Sequence, residues 1–313
     1  MKQVEFKVKQ PCELLQFLME QMPDSSRSKV KELLSHSICV DGRRVSQFNF
    51  PLQSGQVVTI EKAGWKEKLK PRDLDIVYED DYLFVVNKHE GLLSYSKKPN
   101  DRTVITVLNR YLDLTHQHCN AHIVHRLDRD TSGLMVVSKT KEVSQRFEAD
   151  WKGIVNDRAY VAVAWGKMEP ASGTIRSWLT DGEYCVLSSP TDNGGKLAVT
   201  HYKVLERLGY VTLVECRLET GRTHQIRVHM NHIGHPLFND SLYGGDRILK
   251  GTLYGRYRQF IDNCFAILPR QALHARTLGF THPRTRERIH IESELPDDMV
   301  NLIRKFAAFT ASR

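Results

Sequence analysis

Residues 125–138 read HRLDRDTSGLMVVS. Arg126, Asp128, Arg129 and Asp130 crowd around a turn-forming Thr-Ser-Gly, and an apolar, β-branched run follows. The run reads as a buried strand and the charged stretch as the turn that feeds it. Two explanations fit the charges. Alternating signs before a strand make a well-solvated turn at little cost. Alternatively, one carboxylate is held ionised between guanidinium groups because it does chemistry. The stretch by itself leaves both open.

Working outward, strands dominate. LDIVYEDDYLFVVNK (74–88), RAYVAVAWG (158–166), AVTHYKVLERL (198–208), YVTLVECRLET (210–220) and ALHARTLGFTH (272–282) alternate or run apolar. VITVLNRYLD (104–113), KEVSQRFEADW (141–151) and DDMVNLIRKFAAF (297–309) have helical spacing. Strands joined largely by turns, with a few helices between, predict an α+β domain on a mixed, mostly antiparallel sheet.

Towards the N-terminus the pattern changes. CELLQFLMEQM (12–22) and SRSKVKELL (26–34) predict two helices. ICVDGRRV (38–45) reads as a hairpin on Asp41-Gly42, and GQVVTIE (55–61) as a closing strand. Arg27, Lys29 and Lys31 fall at a helix start, and Arg43 and Arg44 at the turn. The polar, aperiodic EKAGWKEKLKPRD (61–73) then reads as a basic linker. The expected organisation is a small α/β domain over 1–62, a linker over 63–72 and a larger domain over 73–313.

The 313 residues are 41% hydrophobic, enough for two cores, and 45 Lys+Arg against 37 Asp+Glu give a net charge of +8. Thirteen basic and eight acidic residues precede Asp73, so most of the excess lies in the first quarter. Such a balance suits a polyanion such as nucleic acid. The start MKQVEFKVKQ shows no apolar signal region, and no apolar run approaches the ~20 residues of a membrane span. Six scattered cysteines without a C-x-x-C pair read as reduced thiols of a cytoplasmic protein with no membrane partner.

HQHCNAHIVH (116–125) and HQIRVHMNHIGH (224–235) invite a metal reading, yet neither has H-E-x-x-H or paired C-x-x-C spacing. No metal and no cofactor is expected. Phosphate-binding glycine motifs and the G-x-S-x-G elbow do not occur either. The second dense stretch, LETGRTHQIRVHMNHIGHPLFNDSLYGG (218–245), reads as a strand end at Gly221 and a short helix exposing Arg222 and Arg227.

Together these residues resemble the RluA-type family of RNA pseudouridine synthases. HRLDRDTSGL matches the family's catalytic motif, GRTHQIRVH followed by GHPLFNDSLYGG its later motif, and LHARTLGFTHP its C-terminal strand. RAYVAVAWG looks like a further family strand, with Arg158 where lysine is commoner. NKHEGLL departs from the usual Lys-Pro-x-Gly at His89 and Glu90. The resemblance spans roughly residues 72–295. The first 62 residues resemble an alpha-L RNA-binding motif known from a small-subunit ribosomal protein.

The resemblance implies a cofactor-free isomerase that detaches uracil from ribose at a ring nitrogen, rotates it, and rejoins it through a ring carbon. It implies that Asp128 is the catalytic carboxylate, Arg227 its ionic partner, and Tyr160 the ring that stacks on uracil and takes part in proton transfer. Arg126 would hold the base out of the stack, His125 would be structural, and Arg129 and Asp130 would shape the turn. Arg126, Arg222, Arg27, Lys29, Arg43 and Arg44 would contact RNA. Two-domain members of this layout often modify large-subunit ribosomal RNA, so the implied partner is ribosomal RNA and the implied state a monomer. The competing reading is a non-catalytic RNA-binding or ribosome-assembly protein on a synthase fold.

Overall fold

The computed structural model describes residues 4–23, 25–36, 38–45, 47–60, 71, 73–98, 100–115 and 117–311. The chain divides into two compact units, one of residues 1–70 with 113–117 and one of residues 71–112 with 118–313. Nearly all of the expected linker, and the side chain of Arg44, lie outside the described residues.

The N-terminal unit contains, in chain order, β1 (Val4–Lys7), β2 (Cys12–Glu13), α1 (Leu14–Gln21), α2 (Arg27–His36), β3 (Ile38–Val40), β4 (Arg43–Arg44), β5 (Pro51–Leu52) and β6 (Val57–Ile60). Its sheet runs β1-β6-β3-β4, all antiparallel. The Asp41-Gly42 hairpin forms as expected, with φ of 49° and 75° at its two central residues. Asp41 also pins the turn sideways, accepting hydrogen bonds from the Val57 amide and the Gln56 side chain (both 2.9 Å). Leu14, Phe17 and Leu18 of α1 pack with Val30, Leu34 and Val58 in a separate small core.

The larger unit comprises β7 (Leu74–Glu79), β8 (Leu83–Lys88), α3 (Val104–Leu114), β9 (His122–Ile123), β10 (Ser132–Ser138), α4 (Lys141–Ala149), α5 (Trp151–Ile154) and β11 (Val155–Trp165). There follow β12 (Ser172–Asp181), β13 (Val186–Ser189), β14 (Lys196–Leu208), β15 (Val211–Leu218), α6 (Gln225–His232), a 3-10 turn (Ser241–Tyr243), α7 (Gly255–Ile267), β16 (Leu273–Thr281), β17 (Arg288–Glu292) and α8 (Asp297–Ala311). One sheet runs β13-β12-β14-β15-β11-β16-β10-β8-β7, with β17 beside β16 and β9 beside β10. Among the described residues its pairings are antiparallel, except that β10 meets β16 in parallel through Ser132–His274 and Gly133–Ala275. The sequence expectation of a mixed, mostly antiparallel sheet matches this architecture.

Burial explains why the central strands are apolar throughout. Tyr160, Ala162 and Ala164 of β11 face one core, while Val161, Val163 and Trp165 face another that is roofed by Ile261 of α7 and Leu302 and Phe306 of α8. Each large aliphatic or aromatic side chain removed from water contributes about 1.5–3 kcal/mol. Gly133, at φ +117°, lets β10 reach β16: a Cβ there would collide with the Ala275 backbone. The six cysteines form no disulfide. Among the described residues no helix is long and apolar enough to cross a membrane.

Candidate active site

Asp128 lies in the loop that enters β10, and its Oδ2 accepts a hydrogen bond from Nη1 of Arg227 at 3.2 Å. The two residues are 99 positions apart in sequence. Arg227 projects from α6, and the helix begins later than its sequence pattern predicts. The reason is Gln225, whose Oε1 accepts from the Arg222 amide (3.0 Å) and the Thr220 hydroxyl (2.8 Å), fixing residues 220–224 as a turn before the helix. Its Nε2 donates to the Val199 carbonyl at 2.9 Å, so the turn is anchored to β14.

Arg227 is not exposed as expected. It is 7% accessible because its guanidinium forks onto Asp240, with Nε to Oδ2 at 2.7 Å and Nη2 to Oδ1 at 2.8 Å. Asp240 is itself buried, and its Oδ1 also accepts from the amides of Leu242 and Tyr243 (3.2 and 3.3 Å), capping the 3-10 turn. The Tyr243 ring lies under the guanidinium, 5.2 Å from its centre. Burial opposes the charge on Arg227, but Asp240 and then Asp128 outweigh it and hold the group above its ordinary pKa. With two nitrogens committed to Asp240, one face of the fork remains for Asp128.

Tyr160, on β11, is buried beside this pair. Burial raises its pKa, the negative charge of Asp128 adds to the rise, and Arg158 works against it. His224, at φ 54°, contacts Asp128 more loosely (Nε2–Oδ2 3.9 Å) and shares a 3.1 Å hydrogen bond with the Tyr243 hydroxyl. Burial lowers its pKa, while the negative charge of Asp128 works the other way.

The histidine-rich stretches disperse into separate contacts. His229 is taken up by the hydroxyls of Thr200 (2.8 Å) and Ser177 (3.0 Å), His235 by the Trp165 carbonyl (2.7 Å), and His125 accepts the Val136 amide (3.0 Å). Burial pushes His229 down to about 4 and His125 to about 3. Among the described residues no group of three or more His, Cys, Asp or Glu side chains is arranged to hold a metal ion.

Two open cavities meet at Asp128. One, of about 730 Å³, is lined by His125, Arg126, Asp128, Trp151, Arg158, Tyr160 and Arg222 among others. The other, of about 530 Å³, shares Ile123–Arg126 and Asp128 but adds Tyr95, His224, Arg227, Ser241 and Gln271. Arg126 is exposed at the junction; Arg222 is exposed in the wall of the first, with Nε donating to the Leu197 carbonyl (3.2 Å). Arg129 reaches the Gly91 carbonyl (3.2 Å), and the Asp130 carbonyl accepts from Arg270 (3.1 Å). In the N-terminal unit Arg27 and Arg43 are exposed and Lys29 is half-buried.

Two supporting residues lie within the quoted stretches GHPLFNDSLYGG and NKHEGLL but carry no role in the sequence reading. Asp240 is one. Lys88 is the other: it is completely buried, and Nζ donates to the carbonyls of His89 (2.9 Å), Leu92 (3.0 Å) and Arg129 (2.9 Å). Burial pulls its pKa down to about 8, although Asp130 works the other way. It ties the loop after β8 to the residue following Asp128.

A family model described as RNA pseudouridylate synthase matches residues 82–232. Ribosomal large subunit pseudouridine synthase D of Yersinia pestis is 40% identical over 306 residues, covering 94% of this chain and 91% of that protein. Its namesake from Escherichia coli (strain K12) is 39% identical over 294 residues, covering 92% and 88%. Two solved human structures share the fold. RNA pseudouridylate synthase domain containing 4 has a TM-score of 0.58 at 22% identity, covering 74% of this chain and 92% of that one. Domain containing 1 has a TM-score of 0.53 at 26% identity, covering 72% and 85%. Fold and matches define the class: an enzyme that isomerises uridine in RNA. Within that class, the chain belongs to the RluA-type family of RNA pseudouridine synthases.

Proposed function

We propose that this enzyme converts specific uridines of large-subunit ribosomal RNA to pseudouridine, with Asp128 as the catalytic carboxylate, acting as a cytoplasmic monomer without a cofactor. The names of its relatives support the choice of RNA. The observation that carries the residue roles is the Asp128–Arg227 contact at the junction of two cavities, with Tyr160 lining the larger.

The reaction breaks the bond from ribose to a ring nitrogen, turns the base and closes a bond to a ring carbon. The proton on that carbon leaves and the freed nitrogen gains one, so nothing is added or lost. A carboxylate serves here by attacking the ribose carbon or by stabilising the positive charge left on it. Arg227 orients that carboxylate and supplies its counter-charge. Tyr160 offers its ring to the uracil and its hydroxyl to proton transfer. Arg126, exposed beside Asp128, occupies the gap left by the extruded base, as chemistry on a stacked base requires. A protein that only bound RNA would have no use for this buried charge network. Protein-free RNA from a strain lacking the gene tests the reading. Incubation with the purified enzyme should create new pseudouridines in large-subunit ribosomal RNA, and a map without any overturns it.

The domain limits remain those of the sequence reading, 1–62 and 73–313 with a basic linker, and the first domain is proposed as an alpha-L RNA-binding module using Arg27, Lys29, Arg43 and Arg44. Arg222 would join it in contacting phosphate. Converting Arg27, Lys29 and Arg43 to glutamate should weaken RNA binding roughly tenfold or more near physiological salt. The slope of log affinity against log salt should become shallower by about one for each phosphate that is no longer neutralised. Unchanged affinity and slope would assign this domain another task.

A further inference from the structure

Tyr160 and Tyr95 line different cavities. Both spaces fall within the roughly 300–1,000 Å³ of ordinary ligand sites. Uracil placed on Tyr160 therefore leaves the 530 Å³ cavity for another part of the RNA. Its wall contains Tyr95, which is 54% exposed and whose hydroxyl has no hydrogen-bond partner among the described residues. A lone exposed tyrosine is ordinary on a protein surface. This one differs in how firmly it is registered to Asp128. The Ser94 hydroxyl donates to the Leu127 carbonyl (2.7 Å) and accepts from the Leu127 amide (3.0 Å). Lys88 joins the Leu92 carbonyl to that of Arg129. The segment ending on Tyr95 is thus fastened to the residues on both sides of Asp128. Exposed Lys97 and Lys98 follow it, and the Lys98 amide donates to the Ser96 hydroxyl (3.1 Å) in a tight turn.

An aromatic face open to solvent, held at fixed register to the reacting group and followed by two cations, is the arrangement that binds unpaired nucleotides. We propose that Tyr95 is the stacking platform for a nucleobase neighbouring the target uridine, with Lys97 and Lys98 on the adjoining phosphates. This rests on the functional reading above. It adds a second subsite, which would read the context of the target rather than the target itself.

The test replaces Tyr95 by the photoreactive p-benzoylphenylalanine in the full chain. The variant is irradiated with protein-free RNA from the strain lacking the gene, while pseudouridines made by the wild-type enzyme are mapped in the same RNA. Cross-links within about two nucleotides of a new pseudouridine are expected. Pseudouridines without neighbouring cross-links overturn the subsite alone, whereas a map with no pseudouridines overturns the functional reading on which it rests. Kinetics on the mapped RNA give a second reading. Tyr95→Ala should raise KM about tenfold with kcat little changed, and Tyr95→Phe should recover most of that loss. A KM for Tyr95→Ala equal to wild type would reject stacking.

Discussion

Asp128→Asn should reduce uridine isomerisation to background while RNA affinity stays within about threefold of wild type, since phosphate contacts supply most of the binding. The amide is nearly isosteric and can still accept a hydrogen bond from Arg227, so the loop entering β10 has no reason to move. It lacks the negative charge that can attack ribose or neutralise the charge left there. Filter binding and pseudouridine mapping on the same RNA separate the two effects. Substantial turnover by the folded variant would remove Asp128 from the chemistry.

The second large effect is expected at a residue that never meets the substrate in this reading. Asp240→Ala leaves the buried Arg227 with Nε and Nη2 unpaired, and breaking a buried ion pair from one side costs about 3–5 kcal/mol. The urea midpoint should fall accordingly. Asp240→Asn is the sharper probe. The amide oxygen can still cap the 3-10 turn, so stability suffers less, but the charge that fixes the guanidinium is gone. Arg227 is then free to swing away from its fixed approach to Asp128, and the single-turnover rate should drop by about 100-fold with RNA affinity retained. A wild-type rate in Asp240→Asn would show that the fork serves folding only.

The main elements are legible in the sequence because their patterns follow burial. β11 is apolar on both faces since cores lie on both, and Asp41-Gly42 announces its turn by residue type. Asp128, Tyr160 and Arg227 are legible through motifs. What stays hidden follows from one physical circumstance: polar side chains buried against distant partners. On α6, Gln225, Arg227 and His229 are all buried, each bonded to residues between 13 and 99 positions away. A reading that equates polar with exposed therefore turns this helix inside out. The same applies to β12, where buried Ser177 bonds His229 and interrupts an otherwise visible strand pattern. Asp240 sits inside a quoted motif, yet its role stays hidden for the complementary reason, since it depends on an arginine that the polar-outside rule would place in solvent.

The parallel contact of β10 with β16 also bears on the order in which the two sides of the candidate site are made. Asp128 precedes β10, whereas Tyr160 and the helix bearing Arg227 belong to the half of the sheet built on β11 and β15. β16 lies between these halves, pairing with β10 through Ser132 and Gly133 and with β11 along most of its length. A nascent chain holding every residue of the Asp128, Tyr160 and Arg227 trio still lacks the strand that brings them together until Leu273–Thr281 has been synthesised. The strand that joins the two halves of the sheet is thus made after both of them.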